Sequence, residues 1–155
     1  MDILNRDGEV IVRLGNEYRD GLSTLDFMGM ELSGAVFDGS NLVNAHFEGA
    51  TLCNASFVKC FLYGASFCEA HAVKADFRGA DLRGADFKDA NLKQACFDEA
   101  DLSRDALNGA TELLGADQTG ASVVRAKFDG AVYDSRTKFP AGFNPKQHGM
   151  RPKTA

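Results

Sequence analysis

A chain of 155 residues with 45% apolar content has room for one domain of ordinary size and no need for a second core. No apolar run approaches the ~18–20 residues that span a bilayer. The first residues lack the basic stretch and apolar stretch of a secretory signal, so the expected location is the cytoplasm. Sixteen glycines and no tryptophan suit a fold of small residues and turns. Lys and Arg against Asp and Glu give −5 for residues 1–40, 0 for 41–80, −5 for 81–120 and +5 for 121–155. An acidic body argues against contact with a phosphate backbone, so no direct nucleic-acid binding is expected. The basic tail is expected to be solvated, with no defined patch.

Residues 1–21 lack the repeat that follows and are assigned as an N-terminal cap. Val10-Ile-Val-Arg-Leu14 is rich in β-branched residues, and Asp7-Gly8 is a hairpin-type turn signal. Residues 2–14 are expected to form a capping hairpin or strand, with a short helix as the alternative. A repeat array needs such an end, because an open terminal coil exposes strand edges and core side chains.

From residue 22 to 133 the chain keeps a period of five, which matches neither the 3.6 of a helix nor the 2 of a strand. Phe-centred pentads, Ala35-Val-Phe37, Ala45-His-Phe47, Ala55-Ser-Phe57 and onward to Ala95-Cys-Phe97, alternate with Leu-centred ones at Leu32, Leu42, Leu52, Leu62, Leu82, Leu92 and Leu102. Counting the central Leu or Phe as zero, position −2 is usually Ala and both should point inward. Position +2 is often Gly or Asn, as at a turn that wants φ > 0. Positions −1 and +1 face water, with Asp76, Asp81 and Asp86 before the centre and Arg78, Arg83 and Lys88 after it. Since Phe recurs every ten residues, a coil must hold an even number of pentads. Two cannot enclose an interior, so four per coil is expected, with coils about 4.7–4.9 Å apart.

Three departures interrupt the pattern. Ala72 replaces a central Leu between Leu52 and Leu92, which leaves a void unless neighbours move in. After Leu102 the register slips by one, with later centres at Leu113, Val123, Phe128 and Tyr133. One extra residue in 103–112 should therefore bulge out, as a kinked coil or a short helix capped by Ser103. Residues 134–155, with Pro140 and Pro145, form an irregular extended tail over the other end.

The pattern Ala-(Asp/Asn)-(Leu/Phe)-X-X, clearest in Ala75-Asp-Phe-Arg-Gly, Ala80-Asp-Leu-Arg-Gly, Ala85-Asp-Phe-Lys-Asp and Ala90-Asn-Leu-Lys-Gln, resembles the pentapeptide repeat family. The resemblance implies an all-β fold, a right-handed quadrilateral β-helix with four pentads per coil. The segment from Gly130 to Pro145 looks like the closing segment of cyanobacterial members. The family offers no catalytic residues to carry over, and its understood members act by protein–protein contact.

Candidate chemistry is sparse. Cys53, Cys60, Cys68 and Cys96 fall in four different columns under twenty-residue stacking, so free thiols are expected, with Cys60 inward. His46 and His71 occupy outward positions. No metal-ligand spacing, phosphate loop or nucleophile motif is visible, so neither catalysis nor a cofactor is expected. The outer positions turn apolar where charge thins out: Val43, Phe61 and Tyr63 share one face, Val58 the preceding face, and Cys53 and Val73 the opposite one. Val43, Phe61 and Tyr63, with Val58, point to a partner surface. The expected function is a non-enzymatic scaffold, a monomer with a dimer not excluded, that binds a protein of unknown identity. The alternative, implied by the family, is DNA mimicry toward a type II topoisomerase (gyrase). A third possibility is a structural spacer with no partner.

Overall fold

The computed structural model describes residues 2–13, 25–107 and 109–154; the expected start of the repeats at Leu22 lies outside them. From residue 25 the chain winds in square coils. Parallel bridges join residues twenty apart, Asp26 to His46, Glu31 to Thr51, Val36 to Ser56, Asn41 to Phe61, and so on to Asp81 with Asp101. Four pentads therefore make one coil. The first face carries Phe27, Phe47, Phe67 and Phe87, and the second Leu32, Leu52, Ala72 and Leu92. The third carries Phe37, Phe57, Phe77 and Phe97, and the fourth Leu42, Leu62, Leu82 and Leu102.

The hydrogen-bond ledger of one pentad explains the square. The central N–H donates to the −1 carbonyl of the next coil (Phe27 to His46, 2.7 Å), and the +2 N–H to its +1 carbonyl (Gly29 to Glu48, 2.9 Å). The −1 N–H reaches back to the coil before (His46 to Leu25, 2.8 Å), while the residue after +2 closes a turn onto the centre (Met30 N–H to Phe27 carbonyl, 3.1 Å). That turn needs a left-handed residue at its third position, as in type II turns. Asn44, Asn54, Lys59 and Lys74 adopt it there at φ between 55° and 59°, beside the glycines. The fold demands the conformation whether or not the side chain favours it.

One donor per pentad remains, the N–H at +1. An Asp, Asn or Glu at −1 takes it: Asp26 from Met28 at 2.9 Å, Asp76 from Arg78 at 3.1 Å, Asp86 from Lys88 at 2.9 Å, Asp117 from Thr119 at 3.1 Å. This is the physical reason for an acidic or amide residue before a centre wherever one stands there.

Inside, the central residues form continuous ladders. Phe rings stack along a face at 4.8–5.1 Å and meet those of the opposite Phe face edge-on at 5.5–6.0 Å. Both geometries suit the ring quadrupole. Ala45, Ala55, Ala65 and Ala75 are fully buried at −2, and Ala72 is fully buried between its Leu neighbours.

The register slip is larger than the sequence suggests. Asp86 bridges Glu112, Asn91 bridges Asp117, Cys96 bridges Ser122 and Asp101 bridges Lys127, each 26 residues apart. Six residues are inserted, not one. A five-residue pattern shows only the remainder, so a whole pentad can leave the coil unseen. The insertion is a tight loop rather than a short helix: Asp105 and Gly109 exchange backbone bonds at 2.7 and 3.0 Å. Downstream, Leu113 and Phe128 are buried, Val123 and Tyr133 half-buried, and Gln118 fills the second-face centre above Leu92 at 1% exposure.

At the N-terminal end, β1 (Asp2–Asn5) and β2 (Val10–Arg13) form an antiparallel hairpin. β1 also pairs antiparallel with β3 (Ala35–Val36) on the third face. Beyond β4 (Val132–Tyr133) the tail does not run out as an irregular extended segment. It turns back, stacks Phe139 on Phe143 at 5.1 Å and Phe143 on His148 at 4.3 Å, and ends as β5 (Arg151–Pro152), parallel to β4.

Candidate functional site

The outer positions divide the solenoid. In the later coils many of the acidic side chains are tied down by cations. Arg83 lies against Asp81 at 2.6 and 2.8 Å and holds that carboxyl below its usual range, and Arg78 grips Asp76 in the same way at 2.6 Å. Three of the tail's cations, expected to be merely solvated, fold back onto acids of the coils: Arg136 on Asp89 (2.7 Å), Lys138 on Asp117 (3.3 Å) and Lys153 on Glu112 (3.3 Å), and Arg136 also meets Asp134 (3.0 Å). Arg125 and Glu99 pair likewise. Partial burial works against the Asp134 carboxylate, but the N–H groups of Gly115 and Arg136, with the Arg136 guanidinium and Thr137 hydroxyl, draw its pKa down to about 2.

In the coils of residues 25–75 the acidic side chains take backbone N–H groups, a serine hydroxyl and His46 instead of Lys or Arg. Asn41 still receives the Val43 N–H at 3.3 Å. One coil on, the −1 residue is Phe61, which has no acceptor to offer Tyr63, and its ring is 54% exposed. Where Ser56 stands at −1, Asp38 from the coil before substitutes, taking both the Ser56 hydroxyl (2.5 Å) and the Val58 N–H (3.1 Å). Ser122 and Val124 repeat the device with Asp98. The fourth face has no such substitute for Phe61, because the residue in the corresponding place is Val43.

The structure therefore brings Val43, Phe61 and Tyr63 together on the fourth face, with Val43 and Tyr63 half-buried on neighbouring rungs. Val58 is half-buried on the third face. Cys53 and Val73 lie on the second face, opposite. An apolar row that the sequence pattern does not reveal lies over the third face. In the hairpin sheet Val10 pairs with Leu4, and Leu4 with Val36. Val10 and Leu4 are 40% and 38% exposed. Val36 is distant in sequence from the hairpin, and only strand pairing aligns it with Leu4 and Val10. The hairpin row and Val58 thus belong to the third face, and Phe61 and Tyr63 to the fourth.

The polar candidates stay apart. All four cysteines are unpaired; burial pushes the Cys60 thiol up to about 12, where it donates to the Phe37 carbonyl at 3.0 Å. His46 and His71 are exposed, His46 against Glu48 at 3.1 Å. Among the described residues no group of three or more His, Cys, Asp or Glu is placed to hold a metal, and no helix is long and apolar enough to cross a membrane.

Residues 30–107, half of the chain, match the model of the pentapeptide repeat region. The chain belongs to the pentapeptide repeat family. Solved structures of pentapeptide repeat proteins resemble it, cyanobacterial ones among them. One from Nostoc PCC 7120 is 27% identical over 83% of this chain and 84% of its own, with a TM-score of 0.35. One from the Arabidopsis thaliana thylakoid lumen is 28% identical over 77% and 72%, with a TM-score of 0.39. QnrB1, a plasmid-mediated fluoroquinolone resistance protein, is 19% identical over 87% and 86%, with a TM-score of 0.41. No curated protein sequence matches the chain. Pentapeptide repeat proteins are generally structural or interaction proteins.

Proposed function

We propose that this pentapeptide repeat protein is a non-enzymatic cytoplasmic scaffold that binds another protein through its fourth face and the adjoining corner. Val43, Phe61 and Tyr63 form the centre of the contact and Val58 its flank. The coil is right-handed, closed at one end by the β1–β2 hairpin and at the other by the returning tail. The observation that carries this reading is Phe61, a half-exposed aromatic in the ladder position that its neighbours Asn41 and Asp81 fill with a hydrogen-bond acceptor. A side chain that leaves a backbone donor unserved and shows a ring to water fits the centre of an interface. The test is affinity capture from the native organism with wild type and the F61S/Y63S variant. Loss of a captured protein, with an unchanged far-UV circular dichroism spectrum, supports the reading; retention of every captured protein overturns it.

The second reading is an acidic rod that occupies the DNA channel of a type II topoisomerase. Residues 1–120 carry a net −10, which favours it. Against it stand the ion pairs of the later coils: residues 76–155 hold 12 acidic and 12 basic side chains. Gyrase supercoiling assays decide this, and absence of inhibition removes it.

A further inference from the structure

Two acids of the third face stand at the same outward place, one residue after the centre, and do the same task. Asp38 takes the Ser56 hydroxyl (2.5 Å) and the Val58 N–H (3.1 Å) of the next rung. Asp98 takes the Ser122 hydroxyl (2.5 Å) and the Val124 N–H (2.9 Å). The first face carries a third set in the same arrangement: Glu48 after the centre, with Ser66 and Cys68 flanking the centre of the next rung. There the device is not made. Glu48 turns to its own pentad instead, where Oε1 lies 3.1 Å from His46 Nδ1. Its other oxygen, Oε2, is buried and has no hydrogen-bond partner among the described residues.

The difference is the residue before the centre. In the pentads of Asp38 and Asp98 it is Val36 and Cys96, neither of them basic; in that of Glu48 it is His46. Histidine is the side chain whose charge changes between about pH 5 and pH 8. The other titratable groups facing the pair are Asp26 on the rung before and Cys68, Glu69, Asp86 and Lys88 on the rungs after. Among the described residues His46 is the sole ion-pair partner of Glu48. Burial opposes the Glu48 charge, but His46, with the Ser66 hydroxyl nearby, holds the carboxyl below its usual range, so it stays ionised across that window. Burial pushes the Cys68 thiol up to about 11, so it stays protonated.

We propose that His46 and Glu48 form a proton-driven switch on the first face. With His46 protonated, its Nδ1–H holds Glu48 in its own pentad through a charge-assisted bond. When the imidazolium gives its proton to water, that attraction falls to the strength of a neutral bond, which no longer offsets a buried oxygen left without a donor. The carboxylate then swings to the next rung and takes the Ser66 hydroxyl and the Cys68 N–H, as Asp38 and Asp98 do on the third face. The extra methylene of Glu over Asp supplies the reach. Low pH thus shows an ion pair on this face, and high pH a free imidazole beside a carboxylate bound one rung on. This inference is independent of the fourth-face surface proposed above.

Amide and ring NMR of the full chain from about pH 5 to about pH 8 tests this. As pH rises, the Cys68 amide proton is expected to move downfield with the same midpoint as the His46 ring protons. The Val58 amide, already bonded to Asp38, should stay in place. Hydrogen exchange at Cys68, corrected for its intrinsic pH dependence, should slow about fivefold between the two ends, the ratio for one net hydrogen bond. Because the charge of His46 by itself also shifts nearby signals, two variants separate the readings. E48A removes the acceptor and should abolish the Cys68 movement while the His46 ring still titrates. H46A removes the competing donor and should fix the Cys68 signal at its wild-type high-pH position. Both substitutions lie on the outer surface and should leave the melting temperature unchanged; should one melt early, the other decides. A Cys68 signal that does not follow His46 in wild type overturns the proposal. So does one that moves as before in E48A, or that still moves in H46A.

Discussion

The coils of residues 25–75 and those that follow share one interior and differ in what they show to water. Both stack Phe on Phe and hold fully buried Ala at the same inward positions. Outside, residues 25–75 carry only five acidic and two basic side chains, whereas residues 76–155 carry 12 of each and knit many of them into pairs. In an ordinary globule a change of surface this large would alter packing somewhere. In a solenoid each coil contacts only its neighbours through a fixed square of backbone bonds, so the outside can change without disturbing the inside. The later coils pair most of their charged groups with one another. The earlier ones carry few charges and show the ring of Phe61 in a ladder position.

The first way to break this comparison is to ask whether the interiors are equivalent in energy as well as in shape. Phe67 and Phe87 stack on the same face at 4.9 Å, one in each region, and both are fully buried. Replacing either by Ala should cost about 3–5 kcal/mol, the usual loss for emptying a core aromatic site. The two losses, measured by denaturant titration, should agree within about 1 kcal/mol. A much smaller loss at Phe67 would mean that the charge-poor coils are also loosely held inside.

A second effect, smaller and opposite in sign, belongs to the later coils alone. Gln118 occupies a central position above Leu92, and its buried amide nitrogen has no hydrogen-bond partner. A buried donor left unserved costs about 1–3 kcal/mol. Gln118→Leu should therefore raise the denaturation midpoint by a corresponding amount. No gain, or a loss, would show that the amide serves a contact worth more than its desolvation.

Gln118 also shows where the sequence stops being informative. The period of five is legible because most inward positions are Leu, Phe or Ala, and the square follows from the alternation of Phe and Leu. Stacking at twenty residues then places Val43, Phe61 and Tyr63 on one face by arithmetic. Gln118 escapes because a polar residue at a centre reads as a broken repeat. The inserted loop escapes because six and one leave the same remainder. The row of Val10, Leu4 and Val36 depends on strand pairing, and the contact of Arg136 with Asp89 joins residues 47 positions apart. Neither is written in any local pattern.

The smallest effect gives the sharpest comparison, because one pair of exchanges separates the two surfaces on the same face. Phe61 and Asp81 occupy successive rungs of the fourth face. Asp81 receives the Arg83 N–H at 3.3 Å and its guanidinium at 2.6–2.8 Å, so Asp81→Phe removes an acceptor and strands a cation. That should cost about 1–2 kcal/mol, the range for losing hydrogen bonds to a charged group at a half-exposed site. Phe61→Asn does the reverse. It gives the Tyr63 N–H the acceptor that Asn41 gives Val43. It also gives up only the buried half of a ring that is 54% exposed. A gained hydrogen bond and a lost half-burial are each worth about 1 kcal/mol, so the net change should lie within about 0.5 kcal/mol. If Phe61 is present for the sake of a partner, F61N should keep the fold at wild-type stability and lose the captured protein, while D81F should lose stability. Should F61N instead destabilise the chain by more than about 1 kcal/mol, Phe61 would be a shield for its own coil. The difference between the two regions would then be one of packing rather than of recognition.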